Sequence, residues 1–430
     1  MIRTRVLLGL ALGALAASAL ASAPPDELEK RLASARRRAE AAARGTPEGK
    51  AAASELGEIG AAYLERGDTG RAVELLEEAY GWDADNGLVL ARLTLAYVRA
   101  EDFPFARFYL ELAEERAPRA PPKAYAVLGE VYYSLNRLED AVLAWEQVER
   151  LGGGDPRILR RLARAREELS LSSKQRYREA ADFVFYFDAA IPPETVDRVA
   201  EKLARASREL SGFFGVALPG PQVVILYEGR AYFALVSIPD WVSGVFDGKI
   251  RVAMDPGGGV TPELETVLIH ELAHAYLRHA SRDLAPGWLH EGLAQWFEGK
   301  RVLRGEFREA FARQPVHSLS EIEGNLGRKA DRAAARSNYV EALGLVEYLM
   351  QERGPDAIAC LVRTLGEGST LEEALRRETG LTPAELLAGF RAWADLDRQR
   401  RPAARGASAE TSETVWRGFS PALDFPSPSK

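Results

Sequence analysis

Between residues 51 and 172, apolar residues recur at helical spacing in pairs of short amphipathic stretches, each pair divided by a polar turn. The stretches IGAAYLERGDTGRAVELLEEAY, LTLAYVRAEDFPFARFYLELAE and LGEVYYSLNRLEDAVLAWEQVE align at a period of 34 to 35 residues. Gly60, Thr94 and Gly129 are equivalent, as are Tyr63, Tyr97 and Tyr132, and Ala72, Ala106 and Ala141. Leu76, Leu110 and Trp145 follow, then Ala79, Ala113 and Val148. One such pair cannot bury its apolar face alone, so the pattern predicts stacked units forming an all-α solenoid. The segment DPRILRRLARAREEL (155–169) reads as a capping helix with a charged outer face, and residues 22–50 as a charged helix or linker.

Near Asp182 the pattern changes. DFVFYFD (182–188), QVVILYE (222–228) and GKIRVAMD (248–255) are short and rich in β-branched and aromatic residues, as strands are. Residues 193–213 read as a long amphipathic helix, with proline at its start and Gly212 after it. A further helix opens at Thr261, a good N-cap, with Pro262 in its first turn. Residues 340–395 alternate helical apolar patterns with turns, and Gly354, Gly366 and Gly380 fall where helices should end. From about Arg401, Pro, Ser, Ala and charge dominate, so 399–430 is expected to be a disordered tail.

The first residues, MIRTRVLLGLALGALAASALASAPP, have the three parts of a secretory signal: Arg3 and Arg5, an apolar core, and small residues at Ala19 and Ala21. Residues 1–21 are therefore expected to direct export to the periplasm or the medium and to be removed. No later run is long and apolar enough to span a bilayer, so no stable membrane insertion is expected after cleavage. The 430 residues carry 56 Lys+Arg against 63 Asp+Glu, a net charge of −7, which makes nucleic acid a poor partner. A single cysteine, Cys360, excludes an intrachain disulfide and a cysteine-rich metal site. It lies in an apolar run and reads as a small buried residue rather than a nucleophile.

The candidate chemistry lies in Val267–Leu277, a helix apolar almost all round that nonetheless carries His270, Glu271 and His274. Ionisable groups in so dry a helix are costly unless something pairs with them, and a divalent metal does so. Positions i and i+4 share a helix face, so His270 and His274 can donate two nitrogens to one ion. Glu271 stands beside that face, placed to take a proton from a metal-activated water and pass it to a leaving amine. This is the HExxH motif of zinc metallopeptidases. Leu277 and Ala280 replace the Gly and His that a metzincin would need.

Two resemblances extend this reading. The repeats follow the pattern of the tetratricopeptide repeat, in which the alanine admits close helix approach and the tyrosine fills the gap. Downstream of HExxH, the Trp288-Leu-His-Glu-Gly-Leu-Ala294 segment resembles the W-L-N-E-G-x-A segment of gluzincins. That resemblance makes Glu291 the third ligand and one Zn2+ per chain the cofactor, and Gly292 would permit close helix approach. The whole arrangement looks like a peptidase-MA-like gluzincin fused to tetratricopeptide repeats. It implies that 250–255 is a sheet edge able to bind an extended peptide. It also implies that a Tyr or His from the later helices, here Tyr339, stabilises the oxyanion. Gln295 could hydrogen-bond the far nitrogen of a ligand histidine. Glu298 reads as exposed, His290 as a rival ligand, and His279 and His317 as surface residues.

The fold class expected is thus α+β and multidomain. A tetratricopeptide solenoid with its capping helix (51–172) precedes a zincin-type subdomain of small mixed sheet and active-site helices (180–300), then a helical subdomain (301–398). The function expected is that of an exported zinc metallopeptidase acting on a peptide or protein, with the repeats docking substrate or a protein partner, or packing on the peptidase domain. The alternative is a non-catalytic periplasmic adaptor with a structural or vestigial zinc site.

Overall fold

The computed structural model describes residues 24–100, 102–116, 121–152, 155–172, 175–235, 243–255, 257, 259–302, 317–326 and 332–400. The export segment expected at 1–21 and the tail from 401 lie outside the described residues. The chain divides into two compact units at residues 173/174.

The first unit is helical: α1 (Pro25–Ala41), α2 (Pro47–Glu65), α3 (Thr69–Trp82), α4 (Gly87–Arg99), α5 (Phe103–Arg116), α6 (Pro122–Ser134), α7 (Leu138–Arg150) and α8 (Pro156–Ser172). Side chains of Thr46, Asp68 and Asn86 accept first-turn backbone N–H groups, which fixes where α2, α3 and α4 start. The two repeat glycines mark close approach. A Cβ at Gly60 would lie 2.8 Å from Leu76 Cγ, and one at Gly129 would lie 2.2 Å from Trp145 Nε1. At the equivalent position Thr94 is wholly buried and satisfies its hydroxyl on Leu90 O at 2.9 Å. Polar ties join residues about one repeat length apart. Tyr63 donates to Glu29 and Arg92 to Glu58 across 34 residues; Arg99 donates to Leu64 O and Tyr133 to Glu168 across 35.

The second unit begins with β1 (Gln175–Ala180), β2 (Phe183–Asp188), α9 (Pro193–Phe214), β3 (Gln222–Glu228), α10 (Ala231–Leu235), β4 (Gly244–Phe246) and β5 (Ile250–Met254). The helices α11 (Pro262–Ser281), α12 (Gly287–Phe297), α13 (Leu319–Asn325), α14 (Arg332–Arg353), α15 (Pro355–Gly366), α16 (Leu371–Thr379) and α17 (Pro383–Arg400) follow. One mixed sheet runs in the order β1-β2-β3-β5-β4, with β1 and β4 antiparallel to their neighbours and the central pairs parallel. Alternation along β2 sends Phe183, Phe185 and Phe187 inward, where they join one core with Val199, Leu203, Leu268 and Leu272.

Three expectations are corrected. The strand before the HExxH helix, β5, is not an edge: it pairs with β3 on one side and β4 on the other, so β4 is the terminal strand. Helix α9 runs through Gly212 and stops at Gly215, whose left-handed backbone (φ 69°) caps it. Gly366 is the last residue of α15, as expected, but not as a left-handed cap; it lets α15 meet the end of α11, since a Cβ there would lie 2.4 Å from Ala280 O.

Candidate metal centre

Thr261 caps α11 as its sequence predicts, its hydroxyl accepting Leu264 N at 3.1 Å, and Glu263 and Glu265 suit the positive end of the helix. The helix then runs buried on nearly every side, with Leu268, Leu272, Ala273 and Leu277 in the core. His270, Glu271 and His274 are buried with them.

The third donor arrives on α12. This helix begins at Pro286 with no side chain of its own to cap it. Glu323 of α13 does so instead, accepting Gly287 N at 2.8 Å and Trp288 N at 3.1 Å. Gly292 brings α12 against α14, where a Cβ would lie 2.3 Å from Ala342 O. The close approach that its place beside Glu291 implied is therefore made to α14. Gln295 donates from Nε2 to both Glu291 O (3.0 Å) and Tyr339 O (2.9 Å), tying the backbone of the candidate third ligand to α14.

The three candidate donors meet. His270 Nε2 is 3.1 Å from His274 Nε2 and 3.6 Å from Glu291 Oε2, and His274 Nε2 is 3.9 Å from Glu291 Oε1. One donor atom from each residue can be chosen so that all lie within 4.8 Å of one another. The edges of a tetrahedron drawn around zinc at ~2.0–2.1 Å are about 3.4 Å long, so the cluster is close to the size such an ion needs. Two imidazole nitrogens with one carboxylate is also a donor set suited to zinc. His274 Nδ1 is buried without a hydrogen-bond partner among the described residues.

Electrostatics point the same way. Burial disfavours the His270 imidazolium, yet the carboxylates of Glu298, Glu291 and Glu271 outweigh it and push its pKa up to about 10. Burial, then the His270 charge, drives His274 well below its ordinary value. Three carboxylates gathered in a dry place around the two rings make a pocket that favours positive charge.

Glu298 is the residue the sequence reading misplaced. Its side chain is 1% exposed, its Oε2 lies 3.5 Å from His270 Nδ1, and Lys300 Nζ pairs with its other oxygen. It thus occupies the place behind the histidine that Gln295 was expected to fill. His290 is buried, with its ring 5.8 Å from that of His274. Burial lowers its pKa to about 4, and it falls outside the cluster of candidate donors. His317 is half-buried rather than at the surface, its Nδ1 2.9 Å from Glu341. Cys360 is partly exposed, not buried, and accepts from Arg363 Nη2 at 3.0 Å. Tyr339 is buried in α14, beside the helix of Glu291.

No curated protein matches the chain. Residues 205–395, from within α9 to α17 and including every residue of the cluster, match the family model described as the Peptidase MA superfamily, so the second unit carries a Peptidase MA superfamily domain.

Proposed function

We propose that the protein is an exported, zinc-dependent metallopeptidase of the gluzincin type. The observation that carries this reading is the convergence of His270, His274 and Glu291 in one buried cluster, with Glu271 on the same helix. These three side chains would hold the ion, and Glu298 would fix the His270 ring from behind. When bound, zinc supplies a Lewis acid for a water and for the scissile carbonyl. Glu271 accepts the proton of the attacking water and delivers it to the nitrogen of the departing amine. Tyr339 is our candidate donor to the oxygen that gains charge in the transition state. The substrate is an extended peptide laid along the outer edge of β4, the terminal strand, which packs on α11.

We further read residues 51–172 as tetratricopeptide repeats that dock the substrate or a protein partner. The support is that close glycine contacts occur at the equivalent positions Gly60 and Gly129, and that polar ties join residues 34 or 35 positions apart. Export rests on the sequence of residues 1–21. The adaptor alternative has less support, because a structural site needs no buried carboxylate at position 271.

The experiment is peptide cleavage by the zinc-loaded wild type and Glu271→Gln. Both variants should hold equal zinc, with turnover lost only in the mutant. Equal turnover in the two would refute the role given to Glu271.

A further inference from the structure

The α-carbon of Gly244, in the terminal strand β4, lies against the side chain of Glu271. A Cβ at residue 244 would come within 2.7 Å of Glu271 Oε1 and 3.1 Å of its Cγ, and within 2.4 Å of Val267 Cγ1. Carbon contacts are favourable only near about 3.5–4.0 Å, so both neighbours would have to move. Gly244 is not among the glycines with positive φ, so backbone freedom does not explain its presence. Space does. Val267 and Glu271 stand four residues apart on α11 and present one ridge to β4. Both are buried, and Val267 is stiff at its branched Cβ.

We propose that Gly244 is a positioning residue for Glu271: its missing side chain is the slot in which the carboxylate lies. The proposal rests on the peptidase reading above for its effect on turnover, but not for the geometry itself. Any side chain at 244 would push the carboxylate off its seat. The three atoms nearest to a Cβ at 244 belong to Val267 and Glu271, not to His270, His274 or Glu291, so the three candidate ligands are expected to stay where they are. The slot also lies in the terminal strand, so the residue that places the base belongs to the backbone along which the peptide would lie.

The test separates this role from simple damage to the strand. Val267→Ala removes the more severe clash, so the comparison is between Val267→Ala and Gly244→Ala/Val267→Ala. Fluorescein-labelled casein serves as the substrate. The double variant should keep the zinc content and melting temperature of Val267→Ala and an apparent KM within about threefold of it. Its kcat should fall about 100-fold, the scale of a displaced general base. The loss should also shrink to a few-fold in a Glu271→Asp background, whose shorter side chain withdraws from the strand. An equal loss in both backgrounds, or no loss in either, would overturn the proposal. Crystal structures of the same two variants give an answer that does not depend on turnover. The Glu271 carboxylate should shift by about 1 Å or more in the double variant. An unmoved carboxylate would rule out the seat whatever the wild type cleaves. A moved carboxylate in a protein that cleaves no casein would support the seat and count against the peptidase reading alone.

Discussion

His270 faces Glu298 as well as the donor cluster: its Nδ1 lies 3.5 Å from a Glu298 oxygen, while its Nε2 lies 3.1 Å from that of His274. A carboxylate beside Nδ1 favours the ring orientation that leaves Nε2 facing the donor cluster. Glu298→Gln should therefore raise the zinc dissociation constant by about 10–100-fold, read by chelator competition. An unchanged constant would mean that the ring is held by packing alone.

Glu323 caps the helix that carries Glu291, although the two lie on different helices. Its replacement by alanine exposes two backbone N–H groups and removes a negative charge from the positive end of α12. Glu323→Ala should cost about 0.5–2 kcal/mol in urea denaturation of the metal-free protein. It should also weaken zinc binding, since the third ligand loses its anchorage.

Gly292 touches the α14 backbone, with a would-be Cβ 2.3 Å from Ala342 O. A carbonyl in a helix cannot step aside as a long side chain can. Gly292→Ala should force α12 and α14 apart and destabilise the unit by about 1–3 kcal/mol, with a matching drop in the denaturation midpoint.

Two of the capped helices of the second unit, α16 and α17, carry pH-sensitive caps of one kind. Glu373 accepts the N–H and hydroxyl of Thr370, and Glu385 those of Thr382, all at 2.8 or 2.9 Å. These hydrogen bonds, the backbone ones first, hold both carboxyls below their ordinary value of 4.5. A carboxyl lowered in the folded state stabilises it fully above the unfolded value and loses that contribution as pH falls through the lower folded one. The stability gap between wild type and Glu373→Gln/Glu385→Gln should be widest near neutrality. It should close as acid protonates the two groups, as followed by denaturation midpoints across the pH range.

What could be read in advance follows from how local each signal is. His270, Glu271 and His274 betrayed themselves because polar groups interrupted an otherwise apolar helix, and the Thr261 cap is a purely local device. Glu298 reads as exposed in sequence because its place at the C-terminal end of α12 does not say whether the facing surface is water or another helix; α11 supplies His270 there. The strand β4 has three residues, too few for any periodicity, so no local pattern marks a strand outside β5, which the family resemblance puts at the sheet edge. Strand β1, QRYREA, is polar and largely exposed and carries no apolar alternation to announce it. Gly212 and Gly215 offer the same stop signal three residues apart. Tertiary packing, not local preference, chose the second.

The proposed chemistry requires a metal ion that joins His270, His274 and Glu291. An anomalous difference map collected on either side of the zinc absorption edge, from protein crystallised without added metal, tests it directly. One zinc peak per chain is expected, bonded to a nitrogen of each imidazole and an oxygen of Glu291 at ~2.0–2.2 Å. Well-ordered side chains with no zinc between them after incubation with excess zinc, or zinc bound only elsewhere, would contradict it.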